Sequence, residues 1–154
     1  MGGVQVAEYF VMRWPELDRQ VQVKPIEQNR EVFDWFVENL PIKALQGHAV
    51  VSGYGLFSQN LGFKRMFPWR EKDLAKEALS KMSDGRLAFF MTTGKVGNLV
   101  VKWGEMTEPL GYVTWGQVVQ EDQATLAEVG KKVWHIFKGI QKPLVHVEFL
   151  GVED

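Results

Sequence analysis

The alternation of apolar and polar positions predicts a chain built mostly of β-strands. Alternating stretches at 6–14 and 20–26 flank the turn-forming residues Pro15 and Asp18, which predicts a β-hairpin. The glycine-containing loop at 92–97 predicts a second tight connection between strands. The further segments with strand-like patterns are 48–57, 87–91, 98–105, 112–120 and 144–150.

Three segments have the spacing of amphipathic helices: 29–40, 71–82 and 123–138. Asn29 and Asp122 are the expected N-caps of the first and the last of these helices. Pro41 and Gly85 are the expected stop signals of the first and the second. The apolar stripe of the last helix predicts that four residues are buried: Leu126, Val129, Val133 and Phe137.

The order of these elements predicts the fold class. Many strands with few helices between them are typical of a closed or half-closed antiparallel β-barrel with peripheral helices, in the α+β or mainly β class. No internal repeat, low-complexity tract or linker divides the chain, so we expect residues 1–154 to form a single domain.

Composition narrows the classes of function. The chain has 18 basic and 19 acidic residues and a net charge of −1, which argues against a nucleic-acid partner. It has no cysteine, which excludes disulfides, thiolate zinc sites and thiol nucleophiles. The sequence has no signal-peptide-like start and no apolar run of about 18 residues. We therefore expect a cytoplasmic protein without a membrane partner, and the sequence allows a homo-oligomer.

An unusual set of polar residues is predicted on one face of the strand at 48–57. Side chains alternate along a strand, so His48, Val50, Ser52 and Tyr54 are expected to point the same way. Imidazole titrates near neutral pH, which makes His48 a candidate acid or base. Ser52 and Tyr54 are candidate hydrogen-bond donors to a substrate. The alternative for His48 is a structural role, with its ring bonded to a nearby carbonyl.

Three further residues are candidates by position. Trp103 ends a strand just before Gly104, where scaffolds often present functional groups, and its indole can stack on a planar ligand. Glu105 is a candidate base, or else a surface residue. Lys43 is a candidate partner for a carboxylate, or else a solvated loop lysine.

Several well-known motifs are absent. The TTGKV segment lacks the first glycine and the final hydroxyl residue of a phosphate loop. Ser52 is not in a GxSxG elbow, and the sequence contains no HExxH. The histidines at 48, 135 and 146 are widely spaced, so we predict no metal site.

Four segments together resemble the bacterial cyclophilin-like proteins, a family that includes cucumopine synthase: 36–57, 84–90, 97–105 and 113–118. The matching features are a helix that ends at Leu40-Pro41, a following strand that carries His48, the strand at 85–89, and Trp103-Gly104. Arg86 stands where the family usually has an acidic residue. A counterpart of the catalytic residues of true cyclophilins is not found, so prolyl isomerisation is not implied.

The resemblance implies a cofactor-free condensation of an amino acid such as histidine with a 2-oxo acid such as 2-oxoglutarate. It implies Lys43 for a carboxylate, His48 and Glu105 for proton transfer, Ser52 and Tyr54 for hydrogen bonds, and Trp103 for stacking. A non-catalytic module that binds an anionic metabolite or a peptide is the alternative function.

Overall fold

The computed structural model of the chain describes residues 8–139 and 144–152. The strands are β1 (Phe10–Trp14), β2 (Arg19–Pro25), β3 (Ile42–Leu45), β4 (Gly47–His48), β5 (Gly53–Gln59), β6 (Lys76–Ala78), β7 (Arg86–Thr92), β8 (Lys95–Met106), β9 (Gly111–Val118) and β10 (His146–Gly151). The two α-helices are α1 (Arg30–Glu38) and α2 (Gln123–Gly139).

All strands join one antiparallel sheet in the order β3-β10-β1-β2-β9-β7-β8-β5-β4, with β6 paired to β9 beside this path. The two edge strands, β3 and β4, follow each other in the chain and are separated only by Gln46. The sheet therefore curls until its edges almost meet. This nearly closed antiparallel barrel with two helices confirms the predicted fold class.

Gln46 holds the two edges of the barrel together. We call the place where the edge strands β3 and β4 meet the seam. The side-chain carbonyl oxygen of Gln46 accepts a hydrogen bond from Trp14 Nε1 at 2.9 Å, which ties the seam to β1. Its Nε2 donates to the carbonyls of Gly47 at 2.9 Å and Phe57 at 3.1 Å, which ties the seam to β4 and β5. Its backbone N–H donates to Val145 O at 2.8 Å, next to β10.

The inside of the barrel is filled by aromatic and aliphatic side chains. Phe36 of α1 lies 4.7 Å from Trp115 and 5.1 Å from Phe10, measured between ring centroids. Phe89 lies 5.0 Å from Trp115. Three residues of the stripe predicted for the last helix are buried in the same core: Leu126, Val129 and Val133. The side chain of Phe137 lies outside the described residues.

A second apolar cluster covers the outer face of the sheet. Val100 belongs to this cluster, whereas its neighbours Leu99 and Val101 belong to the main core, as the alternation of a strand requires. Leu79 and Met82 contribute to the cluster from the segment between β6 and β7. The sheet is therefore covered on both faces in this region.

The predicted helix at 71–82 was wrong. The segment consists of two 3₁₀ turns, Glu71–Asp73 and Leu79–Lys81, around the short strand β6. Strand β6 pairs with β9, and Leu79 N donates to Leu110 O at 3.0 Å. Pairing with the sheet outweighed the helix propensity of the local sequence.

The single strand predicted at 48–57 was also wrong, because the chain bends between β4 and β5. Ala49 N donates to Gly55 O, and Thr107 N donates to Ser52 O, each at 2.9 Å. These bonds hold 49–52 as a loop. The expected common face is lost, because Val50 is 67% exposed while Ser52 is buried.

The two predicted helix caps have other partners. The Asn29 side chain donates to Thr114 O at 2.8 Å and to Ala75 O at 2.9 Å, so it links α1 to the sheet. The Asp122 carboxylate accepts a hydrogen bond from Gln22 N at 2.8 Å. Both short polar side chains therefore make long-range contacts.

Within the described part of the chain, no helix is long and apolar enough to cross a membrane.

We expect Gln46→Leu to lower the free energy of unfolding by about 2–4 kcal/mol, because Trp14 Nε1 and two carbonyls lose their partner in a buried place. Urea unfolding measures this loss. Gln59→Leu, at an exposed position of the neighbouring strand β5, is the matched control and should change stability by about 0.5 kcal/mol or less. Equal losses in the two variants would contradict the role of Gln46.

Candidate functional site

His48 lies at the end of β4 and is 4% exposed. Trp103 Nε1 donates a hydrogen bond to its Nε2 at 3.0 Å. Its Nδ1 lies 2.7 Å from Ala49 O. An indole N–H only donates, so Nε2 must be the unprotonated nitrogen, and Nδ1–H must donate to the carbonyl. The contacts therefore define a neutral imidazole with its proton on Nδ1.

Burial lowers the pKa of His48, and the hydrogen bond to Ala49 O opposes this effect. A proton on Nε2 would also face the N–H group of Trp103. Both influences favour the neutral ring. For His48 to accept a proton from a substrate, Nε2 must first lose the hydrogen bond from Trp103.

Four rings form an aromatic cluster around this histidine: His48, Tyr54, Trp103 and Trp134. The centroids of Tyr54 and Trp103 are 4.8 Å apart, as are those of His48 and Trp134. Gly130 lets α2 approach, because a Cβ at this position would lie 2.4 Å from Cδ2 of the Trp103 indole. The structure thus brings three of the predicted site residues together.

Trp134 and Gly130 were not among the predicted site residues. A signal for both was present, because a glycine in the middle of a helix four residues before a tryptophan marks one helix face. That face contacts His48 and Trp103.

The other predicted residues lie apart from these rings. Ser52 anchors the 49–52 loop through its backbone carbonyl, which accepts from Thr107 N. Glu105 is exposed near the end of β8, close to Gly53, where a Cβ would lie 2.3 Å from Glu105 O. Lys43 is exposed on the outer face of β3 and pairs in register with Glu148.

A cavity of about 700 Å³ opens beside the barrel seam, and we name it the seam cavity. It is lined by Ala44, Leu45, Gln46, Gly47, His48, Ala49, Val50, Phe57, Gln59, Asn60 and Leu144. None of these residues is an acid, a lysine or an arginine. Of the predicted site residues, only His48 belongs to the lining. In the described ranges, no group of three or more histidine, aspartate or glutamate residues could hold a metal ion.

No protein-family model matches this sequence, and no curated protein matches it. Solved structures do match. The structure of McbB in complex with tryptophan superposes with a TM-score of 0.75 and 27% sequence identity. The match covers 94% of this chain and 46% of the McbB chain, so this chain spans about half the length of that relative.

A second match shows the fold alone. The solution structure of the hypothetical protein AF2241 from Archaeoglobus fulgidus has a TM-score of 0.55 and 12% identity. The match covers 99% of this chain and 100% of AF2241. The architecture described above therefore also occurs in a protein whose whole chain is one such unit.

The neutral state of His48 predicts a pH dependence of stability. The unfolded histidine has a pKa of about 6.5, above that of the folded state, so below this pH the unfolded chain binds more protons. Stability contributed by neutral His48 is present above pH 6.5 and is lost as the pH falls below it. We expect the difference in unfolding free energy between wild type and His48→Gln to be smaller at pH 5.5 than at pH 8.

Urea unfolding of both proteins at the two pH values measures this difference. Glutamine can still accept the hydrogen bond from Trp103 but does not titrate, so the comparison cancels the effects of the other histidines. A difference that stays constant or grows at low pH would contradict a buried neutral His48.

Proposed function

We propose that this barrel binds an amino acid with a planar side-chain ring and condenses it with a 2-oxo acid, without a cofactor. The observation that carries the proposal is the match of 94% of the chain to McbB, a protein solved in complex with tryptophan. The cyclophilin-like, cucumopine-synthase-like relationship suggested by the sequence is part of the same proposal.

The seam cavity supports binding of such a ligand. Its volume of about 700 Å³ is in the range of small-molecule sites. The apolar side chains of Leu45, Ala49, Phe57 and Leu144 suit a flat ring. Because the lining has no charged residue, we place the ring inside and the charged amino-acid groups at the rim.

Lys43 is placed to meet a carboxylate at that rim. It lies two residues before Leu45 on β3, and residues two apart share a face of a strand. Leu45 lines the cavity, so the lysine extends from the same outer face. This position fits the role proposed for Lys43, with Glu148 as its neighbour on β10.

The proposed reaction has two bond-forming steps and no redox change. The amine nitrogen attacks the ketone carbon of the 2-oxo acid, and loss of one water gives an imine. A ring carbon then attacks the imine carbon, the imine nitrogen takes a proton, and a base removes the proton from the ring carbon. Holding both reactants in one place supplies much of the acceleration.

We assign the proton transfers to His48, which lines the cavity, and to Glu105, which lies outside the lining with its backbone carbonyl against Gly53. Trp103 would take two roles, because its ring packs against Tyr54 at an angle of 38° and its Nε1 donates to His48 Nε2. A substrate group that replaces the Trp103 hydrogen bond would free Nε2 to act as a base.

One observation favours the second candidate function, a non-catalytic binding module. Both ring nitrogens of His48 already have partners within the protein. A histidine satisfied in this way can shape a binding site without exchanging protons. In this case the ligand binds and leaves unchanged.

A thermal-shift screen of tryptophan, histidine, 2-oxo acids and their pairs tests the proposal, with mass spectrometry on each stabilising mixture. A ligand at one hundred times its dissociation constant should stabilise the protein by about 2.7 kcal/mol. For the enzyme, we expect a product whose mass is the sum of both reactants less one water. Stabilisation without product would support the binding module, and no stabilisation by any compound would contradict both.

Two variants at equally exposed leucines test whether the ligand binds in the seam cavity. Leu45 lines the cavity and Leu110 lies elsewhere, yet both are 54% exposed. Leu45→Trp should fill the cavity and abolish the thermal shift, whereas Leu110→Trp should keep it. In the enzyme, His48→Gln should retain binding and lower turnover by about 100-fold or more.

A further inference from the structure

A second cavity, of about 540 Å³, lies away from the seam and has a polar lining. We name it the Arg86 pocket. It lies where β2, β7, β9 and the start of α2 meet, and its polar lining residues are Lys24, Ser83, Asp84, Arg86, Gln117, Gln120 and Gln123. The lining of this pocket and the lining of the seam cavity have no residue in common.

The guanidinium of Arg86 is held in a fixed orientation. Its Nε donates to Gln117 Oε1 at 2.8 Å, and its Nη1 donates to Glu77 Oε1. Only 15% of its side chain is exposed. Its Nη2 donates to no acceptor in the described part of the chain, so this N–H₂ group of the guanidinium is available to donate to an oxygen atom of a ligand.

Gly85 lies between the lining residues Asp84 and Arg86 and sets how closely two lining glutamines approach. Its φ of +87° lies in the region that favours glycine. A Cβ there would lie 2.4 Å from Gln123 Nε2 and 2.7 Å from Gln117 Nε2. Only glycine therefore lets both amides close in beside Arg86.

Two cations of the lining are placed to meet an anion. Lys24 lines the pocket without any ion pair to a described residue. Lys24 of β2 and Arg86 of β7 both pair in register with Gln117 of β9, so they lie on either side of it. The charged residues of the lining are these two cations and one carboxylate, that of Asp84.

We propose that the Arg86 pocket binds a small carboxylate anion, with the carboxylate held by Arg86 Nη2 and the Lys24 ammonium. An arginine held by neighbouring groups recognises a carboxylate with little loss of side-chain entropy. This inference is independent of the proposed reaction in the seam cavity. It also gives a function to the arginine that stands where an acid was expected.

Succinate is the probe, because it has two carboxylates and no ketone to condense. The melting temperature is followed during titration with succinate, phosphate or chloride at constant ionic strength. We expect succinate to raise the melting temperature in a saturable way and chloride to have no such effect. Lys24→Gln should weaken succinate binding about tenfold or more.

The controls separate this site from general charge effects and from the seam cavity. Lys72→Gln, at an exposed lysine elsewhere, should change the succinate affinity less than twofold. Arg86→Gln should abolish binding, but Lys24→Gln decides the test if that variant does not fold. Leu45→Trp should leave the succinate response unchanged.

Equal effects of Lys24→Gln and Lys72→Gln would overturn the proposal. So would a response to chloride equal to that to succinate. Saturable binding of phosphate without binding of succinate would overturn the assignment to carboxylates.

Discussion

The buried side chain of Gln46 is the contact on which the barrel depends. An open sheet has two edge strands, and each edge strand exposes unpaired backbone N–H and C=O groups. Here the edges are β3 and β4, and one glutamine between them bonds to Trp14, Gly47 and Phe57. Strand β4 is only two residues long, so side-chain bonds replace the ladder that a longer strand would make.

Closure at Gln46 also positions the candidate site. His48 follows it by two residues and points to Trp103 and Trp134, and His48 and its chain neighbours line the seam cavity. Because the inside of the barrel is filled by aromatic side chains, ligand space is left at the seam and at the polar corner near Arg86. The apolar, uncharged cavity and the polar, cationic pocket suit different chemical groups.

Much of the fold could be predicted because an element that is buried on one side has apolar residues at regular intervals in the sequence. The β1–β2 hairpin and the buried stripe of α2 follow that rule. The segment 71–82 does not follow the rule. Its helix-like spacing of Leu74, Ala78 and Met82 is broken because Ala78 belongs to β6, while Leu74 and Met82 are buried in the two apolar clusters. The bend at 49–52 depends on hydrogen bonds to β5 and to Thr107, which no local pattern reveals.

The candidate site was predicted residue by residue but not as an arrangement. His48 and Trp103 were each singled out, yet their hydrogen bond joins positions 55 apart in the chain. The contact depends on the pairing of β4 with β5 and of β5 with β8, and on Gly130 in α2. These are properties of the folded chain, so the sequence could nominate the residues without showing their geometry.

The central claim is that the seam cavity receives the ring of an amino acid. Titration of ¹⁵N-labelled protein with tryptophan, followed by amide chemical shifts, tests it most directly. We expect the largest shifts at Gly47, Ala49 and Asn60, which line the cavity. Shifts that concentrate elsewhere, or no saturable shifts at all, would contradict it.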